Sequence, residues 1–236
     1  WNIKTQEGHE AIAAMLKSQL DNVQPSNFKL DGDASEADGV TEAWFSFETA
    51  SARGRGLLRL KDGKAWTLLT SMDELKGFEE NRKKKRPLGA QHGIEKNRKS
   101  WKDRKTENEQ RLGYEDQPYC LIIGGGQGGI TMGARLKQLN VPTIVIEKNE
   151  RPGDSWRKRY KSLCLHDPVW YDHLPYIPFP ENWPVFSPKD KIGDWLEMYT
   201  RVMELNYWTS TVCENASYDD DKQEWTVKVN RDGEEV

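Results

Sequence analysis

The sequence predicts an α/β fold preceded by a small α+β unit, and three observations carry that expectation. An apolar run, a glycine cluster, a helical stretch and a second apolar run follow one another between residues 119 and 147, which is the order of a βαβ unit. Upstream, apolar and polar side chains alternate with the period of half-buried antiparallel strands. Between the two lies a charged stretch poor in apolar residues, which divides the chain into residues 1–80, a basic linker 81–117 and a second part 118–236.

In order along the chain, residues 8–20 (GHEAIAAMLKSQL) place Ile12, Met15, Leu16 and Leu20 at helical spacing, with Glu10 near the positive end of the helix dipole. In TEAWFSFETA, Ala43, Phe45 and Phe47 alternate with Trp44, Ser46 and Glu48, as a strand with one buried face requires. The stretch GRGLLRLKDGKAWTLLTS reads as two strands around Lys61-Asp62-Gly63-Lys64, where Asp-Gly supplies the positive φ angles of a tight hairpin. The first 80 residues therefore read as a helix followed by a curled antiparallel sheet.

Residues 81–111 carry twelve Lys or Arg against four acids, and a charged helix is expected from about Gly93. The run Arg82 to Arg86 has two readings, a patch that attracts phosphate backbones or a solvated tether between domains. No aromatic stacking platform accompanies the charges, so the tether is favoured and no nucleic-acid partner is expected.

From Tyr119 to Ile123 the run is continuously apolar, the pattern of a central parallel strand covered on both faces. A helix from Ile130 to Leu139 follows, Pro142 interrupts it, and a strand from Thr143 to Ile146 ends at Glu147. Further on, Ser187, Pro188 and Asp190 suggest a capping box for a helix with an apolar stripe of Ile192, Trp195, Leu196, Tyr199, Val202 and Met203. Residues 215–236 read as antiparallel strands, with Trp225, Val227 and Val229 alternating and a turn at Asp232-Gly233.

The chain of 236 residues has a net charge of −3 and 36% hydrophobic residues, which describes a soluble globular protein. No apolar run approaches the roughly 18 residues of a membrane span. Cys120, Cys164 and Cys213 have neither C-x-x-C spacing nor an even count, so neither a disulfide framework nor a metal site is expected, and a reducing cytoplasmic location fits. The first residue is Trp1, not Met, and the sequence reads as an internal piece of a longer protein.

Gly124, Gly126 and Gly129 satisfy G-x-G-x-x-G in a strand–turn–helix setting. Each has a separate physical duty: a tight turn at Gly124, close approach of a pyrophosphate at Gly126, and close packing of helix on sheet at Gly129 and Gly133. The exposed N–H groups of Gln127 and Gly128 lie at the positive end of the helix, where a phosphate is favoured. Glu147, followed by Lys148, stands where a carboxylate can accept hydrogen bonds from a ribose, and it would repel a 2′-phosphate. This is the dinucleotide-binding, Rossmann-type pattern, and the adenosine half of FAD or NAD is the expected occupant.

The following stretch, EKNERPGDSWRKRY, resembles the E-x(5)-G-G-x-W segment of flavin-containing and Baeyer–Villiger monooxygenases, with Gly153 and Trp156 in register and Asp154 in place of the second glycine. The run YKSLCLHDPVWYDHLPYIPFPENWPVF is similar to the Ser-Leu turn and Pro-rich aromatic segment of that family. The resemblance, over about Pro118 to Val236, implies a class B flavoprotein monooxygenase: FAD reduced by NADPH, a flavin hydroperoxide, and transfer of one oxygen atom of O2 to a small organic substrate. It places Gly153 and Trp156 along the FAD. His166 falls where many relatives carry an Asn that holds the oxygen intermediate; a catalytic donor and a structural histidine both remain open there. The family's second glycine motif, for NADPH, has no counterpart in this sequence.

Residues 1–80 resemble SnoaL-like domains, cone-shaped α+β folds. They contain no Tyr, which excludes the phenol-dependent isomerase chemistry of some members and leaves a homodimerisation or ligand-holding role. The alternative to the enzyme is a non-catalytic nucleotide-binding scaffold whose basic linker contacts nucleic acid.

Overall fold

In the computed structural model, which describes residues 4–89 and 92–236, the chain divides into two units between Arg86 and Pro87. Residues 1–3 of the expected N-terminal part and residues 90–91 of the expected linker lie outside the described residues.

The first unit begins with helix α1 (His9–Val23). Strands β1 (Ser26–Leu30), β2 (Ser35–Ala37), β3 (Val40–Glu48), β4 (Ala52–Lys61) and β5 (Lys64–Leu75) follow as one antiparallel sheet, in the order β1-β3-β4-β5 with β2 on β3. Asp62 and Gly63 take φ of 51° and 70°, the left-handed pair that a two-residue hairpin demands. Gly54 and Gly56 of β4 lie opposite Phe47 and Phe45. A Cβ on Gly56 would sit 2.3 Å from the Phe45 ring. The missing side chains let the rings of Phe28, Phe45 and Phe47 gather with centroids 5.8 to 6.0 Å apart. The apolar stripe of α1 remains half-exposed, with Ile12, Leu16 and Leu20 all near 40%. Two cations of the basic run face acids of this unit, Arg82 at 3.8 Å from Glu74 and Lys85 at 3.8 Å from Glu79.

In the second unit, α2 (Trp101–Arg111) is opened by a capping box in which Ser100 Oγ accepts from the Asp103 N–H and Asp103 accepts from the Ser100 N–H. Directly after α2, Leu112 is buried with Ile144, Ile146, Trp208 and Val229. Gly113 has φ of 90°, and a Cβ there would stand 2.3 Å from the Trp208 ring, so only glycine allows the chain to pass this close. The basic stretch thus ends on an anchor that its charge pattern does not reveal.

Strand β6 (Cys120–Ile123), helix α3 (Gln127–Gln138) and strand β7 (Thr143–Ile146) form the βαβ unit. The short helix α4 (Asp154–Arg157), helix α5 (Lys189–Val202) and strand β8 (Tyr207–Trp208) follow, and the parallel sheet runs β6-β7-β8. The expectation of a central, doubly covered strand at Tyr119–Ile123 is overturned. Among the described residues β6 pairs with β7 alone, Tyr119 is 87% and Ile123 60% exposed, and the fully buried central strand is β7. An apolar run reports that a strand suits burial; which strands flank it is decided by distant parts of the chain.

Helix α3 lies against β7 where a Cβ on Gly133 would stand 2.8 Å from Val145 Cγ2. Its Ile130 and Ala134 pack with Ile192, Leu196 and Tyr199 of α5 in the main core. The capping box expected for α5 does not form: Pro188 is the N-cap, Ser187 Oγ donates to the Pro184 carbonyl, and Asp190 pairs with Lys189. Ser187 is fully buried, so its hydroxyl serves the nearest turn carbonyl instead of the helix end. Val202, expected in the α5 stripe, is 57% exposed. The chain continues with β9 (Thr211–Asp219), β10 (Glu224–Arg231) and β11 (Glu234–Glu235), an antiparallel meander turned at Asp232 and Gly233. Val229 of β10 is buried while Trp225 is 66% exposed.

Two of the glycines of α3, Gly128 and Gly133, predict opposite tolerances. Gly133→Val forces a side chain into Val145 and should cost about 1–3 kcal/mol in urea unfolding. Gly128→Val, whose added Cβ meets nothing within 4 Å beyond its own chain neighbours and helix backbone, should cost no more than about 1 kcal/mol. Equal losses would contradict the packing account.

Candidate functional site

The glycine loop leaves β6 at Gly124, whose φ of 105° suits glycine, while its N–H remains bonded to the Ile146 carbonyl at 2.9 Å. A Cβ on Gly129 would stand 1.9 Å from the Gly124 carbonyl oxygen, so glycine at that place lets α3 start directly over the strand end. Gly126 differs: its φ is −71°, and an added Cβ would meet nothing nearer than Ser155 Oγ at 3.9 Å. Neither backbone strain nor protein packing requires glycine there; the open space above it does not belong to the protein. Gly126 is the N-cap of α3 and has no side chain to offer, and the first helical bond runs from the Ile130 N–H to the Gly126 carbonyl. The N–H groups of the first turn, including those of Gln127 and Gly128, therefore have no helical carbonyl to bond.

Gly125, which the motif leaves as a free position, is the most tightly held residue of the loop. Its N–H donates to Glu147 Oε2 at 2.9 Å, and its carbonyl accepts from the Tyr207 hydroxyl at 2.8 Å. A Cβ on Gly125 would stand 1.9 Å from that hydroxyl oxygen. The carboxylate of Glu147 is 7% exposed and its other oxygen accepts from both the backbone and side-chain amides of Asn149, at 2.9 and 2.7 Å. Glu147 thus holds the loop, with acceptor capacity remaining on Oε2. Lys148 beside it is exposed. Burial, then the nearby Glu147 and Asp154 charges, push the Tyr207 phenol far above its ordinary range. Tyr207 was not legible as a site residue, because a two-residue strand leaves no periodic signal.

A second wall comes from α4. Gly153 has φ of 86°, and a Cβ there would stand 2.2 Å from the Gly193 carbonyl, so α4 can touch α5 backbone to backbone. Asp154, where the resemblance places a second glycine, is buried and accepts from Arg157 Nη1 at 3.0 Å. Arg157 also reaches Asp194 and Glu197, both at 2.9 Å, and Glu197 further receives Arg151 and Arg201. The aspartate is therefore an anchor for the turn. Trp156 Nε1 donates to Gln127 Oε1 at 3.0 Å, joining two segments that the sequence singled out separately.

Beside this junction a cavity of about 430 Å3 is lined by Gln127, Trp156, Cys164, His166, Asp167 and Asp172, with a floor of Leu165, Phe179 and Leu196. His166 therefore stands at the same cavity as Gln127 and Trp156. Burial raises the Asp172 carboxyl above its ordinary value, with Asp167 adding to the rise and His173 opposing it. The arrangement sets a helix start with a side-chain-free N-cap next to a partly apolar chamber lined by one imidazole, one guanidinium (Arg159) and two carboxyls. Among the described residues, no helix is long and apolar enough to cross a membrane.

No protein-family model matches the chain. It is similar to a probable indole-3-pyruvate monooxygenase, YUCCA9, of Arabidopsis thaliana, 32% identical over 130 residues, which cover 55% of this chain and 30% of that protein. An uncharacterized CzcO-like oxidoreductase of Geobacillus kaustophilus is 41% identical over 85 residues, covering 36% of this chain and 24% of the relative. The chain thus spans less than a third of the length of these relatives. Among solved structures, a flavin monooxygenase from Stenotrophomonas maltophilia superposes with a TM-score of 0.44 at 21% identity, over 50% of this chain and 35% of that one. OTEMO in complex with FAD and NADP gives 0.44 at 23%, over 51% and 24%.

The buried phenols set an alkaline limit on stability. Burial pushes Tyr199 up to about 12, and it raises the Tyr207 phenol as well. Because the folded state favours the neutral phenols, their contribution is intact below about pH 10, the unfolded value, and drains away as pH rises above it. Tyr207→Phe should lose about 0.5–1.5 kcal/mol at pH 8, the worth of the bond to Gly125, and its stability should fall less steeply between about pH 10 and 12. Urea unfolding midpoints across that range are the check.

Proposed function

We propose that the protein is a flavin-dependent monooxygenase that uses FAD and NADPH to transfer one oxygen atom of O2 to a small organic substrate. The observation that carries the reading is Gly126, a glycine that no protein contact or backbone angle requires, at the start of a helix and in a segment similar to proteins named as monooxygenases. The residues are compatible with the cofactor: Gly126 caps α3 without a side chain and without a close neighbour on that side, the first-turn N–H groups have no helical carbonyl, and the buried Ser155 hydroxyl has no partner within the protein.

In this reading the loop N–H groups bind the pyrophosphate, and Glu147 combines loop positioning with acceptance from the ribose hydroxyls. Trp156 and Gln127 separate the phosphate end from the cavity, which receives the reactive ring and the substrate. Bound flavin would supply the redox chemistry: a hydride from NADPH and one further proton account for the reduction of O2 to the oxygen atom delivered and one molecule of water. His166 donates an imidazole N–H toward the reacting oxygen. The apolar cavity floor limits water at that point. The N-terminal unit we assign to dimerisation or ligand holding, in keeping with its SnoaL-like sequence pattern. The scaffold reading is weaker, because Arg82 and Lys85 of the basic run already face Glu74 and Glu79.

The visible spectrum of the full-length protein tests the reading. A bound-flavin spectrum that bleaches with NADPH and recovers as oxygen is consumed is expected; a colourless protein that added FAD does not restore would refute it. Gly126→Val should keep its unfolding free energy within about 1 kcal/mol while FAD occupancy collapses. His166→Ala should lower the oxygenation rate with FAD still bound.

A further inference from the structure

We infer that the Ser155 hydroxyl is a direct hydrogen-bond donor to the dinucleotide phosphates, an assignment that rests on the FAD reading above. Ser155 sits in α4 between Asp154, which is buried and paired with Arg157, and Trp156, which is bonded to Gln127. Its backbone position is therefore held from both sides. Its Oγ is buried and has no hydrogen-bond partner in the protein.

That state is unusual within this chain. Other hydroxyls at turns and helices bond a carbonyl three residues back: Ser187 Oγ reaches Pro184 at 3.1 Å and Thr200 Oγ1 reaches Glu197 at 2.8 Å. Such back-bonding is the ordinary fate of a short hydroxyl side chain, and a buried hydroxyl without a partner is unfavourable. Ser155 Oγ instead stands 3.9 Å from where a Cβ of Gly126 would lie, with no other described residue beyond Gly126's own chain neighbours within 4 Å of that point. Oγ is thus the neighbouring group nearest to the side of Gly126 on which a side chain would stand, at the start of α3. What suits one hydroxyl donor together with a row of N–H donors is a group that only accepts, and a phosphate oxygen is such a group. The glycine loop approaches the pyrophosphate from one side and Ser155 from the other.

Removing the hydroxyl should then act with opposite sign in the empty and loaded protein. In the full-length protein stripped of nucleotide, Ser155→Ala should unfold at the same temperature as the parent or a higher one, because a group without a partner is deleted. Its FAD dissociation constant, read by quenching of flavin fluorescence in phosphate-free buffer, should rise about tenfold or more, as for a lost hydrogen bond to a charged group. Unchanged FAD affinity would overturn the inference. A lowered melting temperature of the stripped variant would also overturn it, by showing that the hydroxyl has a partner inside the protein. If the parent itself bound no FAD, the proposed function would fall and this inference with it, an outcome separate from an unaffected variant.

Discussion

The architecture around the site depends on a buried carboxylate bonded to a backbone amide. Glu147 ends β7, the strand with the most complete burial, and its Oε2 receives the Gly125 N–H at 2.9 Å. A buried carboxylate is tolerable only when its lone pairs are met, and here three protein N–H groups meet it, from Gly125 and from both amides of Asn149. The bond ties the exit of one strand to the exit of its neighbour, so the loop cannot drift from the sheet without leaving a charge unsatisfied. Tyr207 closes the arrangement from the third strand by donating to the carbonyl of the same glycine. With both polar groups of Gly125 engaged by side chains, the orientation of the next residues is decided, and the N–H groups that begin α3 face outward.

The opposite wall is held by different physics. Arg157 and Glu197 are 14% and 13% exposed and share an ion-pair network with Asp154, Asp194, Arg151 and Arg201. Breaking such a network on one side strands a charge in a poorly solvated place, which is costly even where the intact network adds little. Gly153 and Gly193 let the two helices meet closely enough for the network to form. The outcome is a short helix that presents Ser155 and Trp156 toward the loop with little freedom. The Trp156–Gln127 bond then makes the two walls one surface.

Much of this was legible in the order of residues. The glycine spacing, the flanking apolar runs and the terminal Glu147 mark the βαβ unit because each reflects a local requirement: a turn, a strand, a helix start. Gly153 and Trp156 were likewise visible as a second segment, and their meeting with Gln127 adds distance information to a pattern already noticed. What misled was inference from local chemistry to neighbours. Ser187 and Asp190 have the residue types of a capping box, yet the burial of Ser187 redirected its hydroxyl to a nearby carbonyl.

The sequence by itself determined which elements occur, in what order, and where the backbone must turn, since those depend on residues within one turn or one strand of each other. Only the tertiary structure decided that β7 is the central strand, that Leu112 after the basic helix is buried beside Trp208, and that Tyr207 holds a glycine far upstream. Those outcomes join segments distant along the chain, and a residue's own neighbours in sequence carry no record of which distant partner will satisfy its hydrogen bonds or cover its surface.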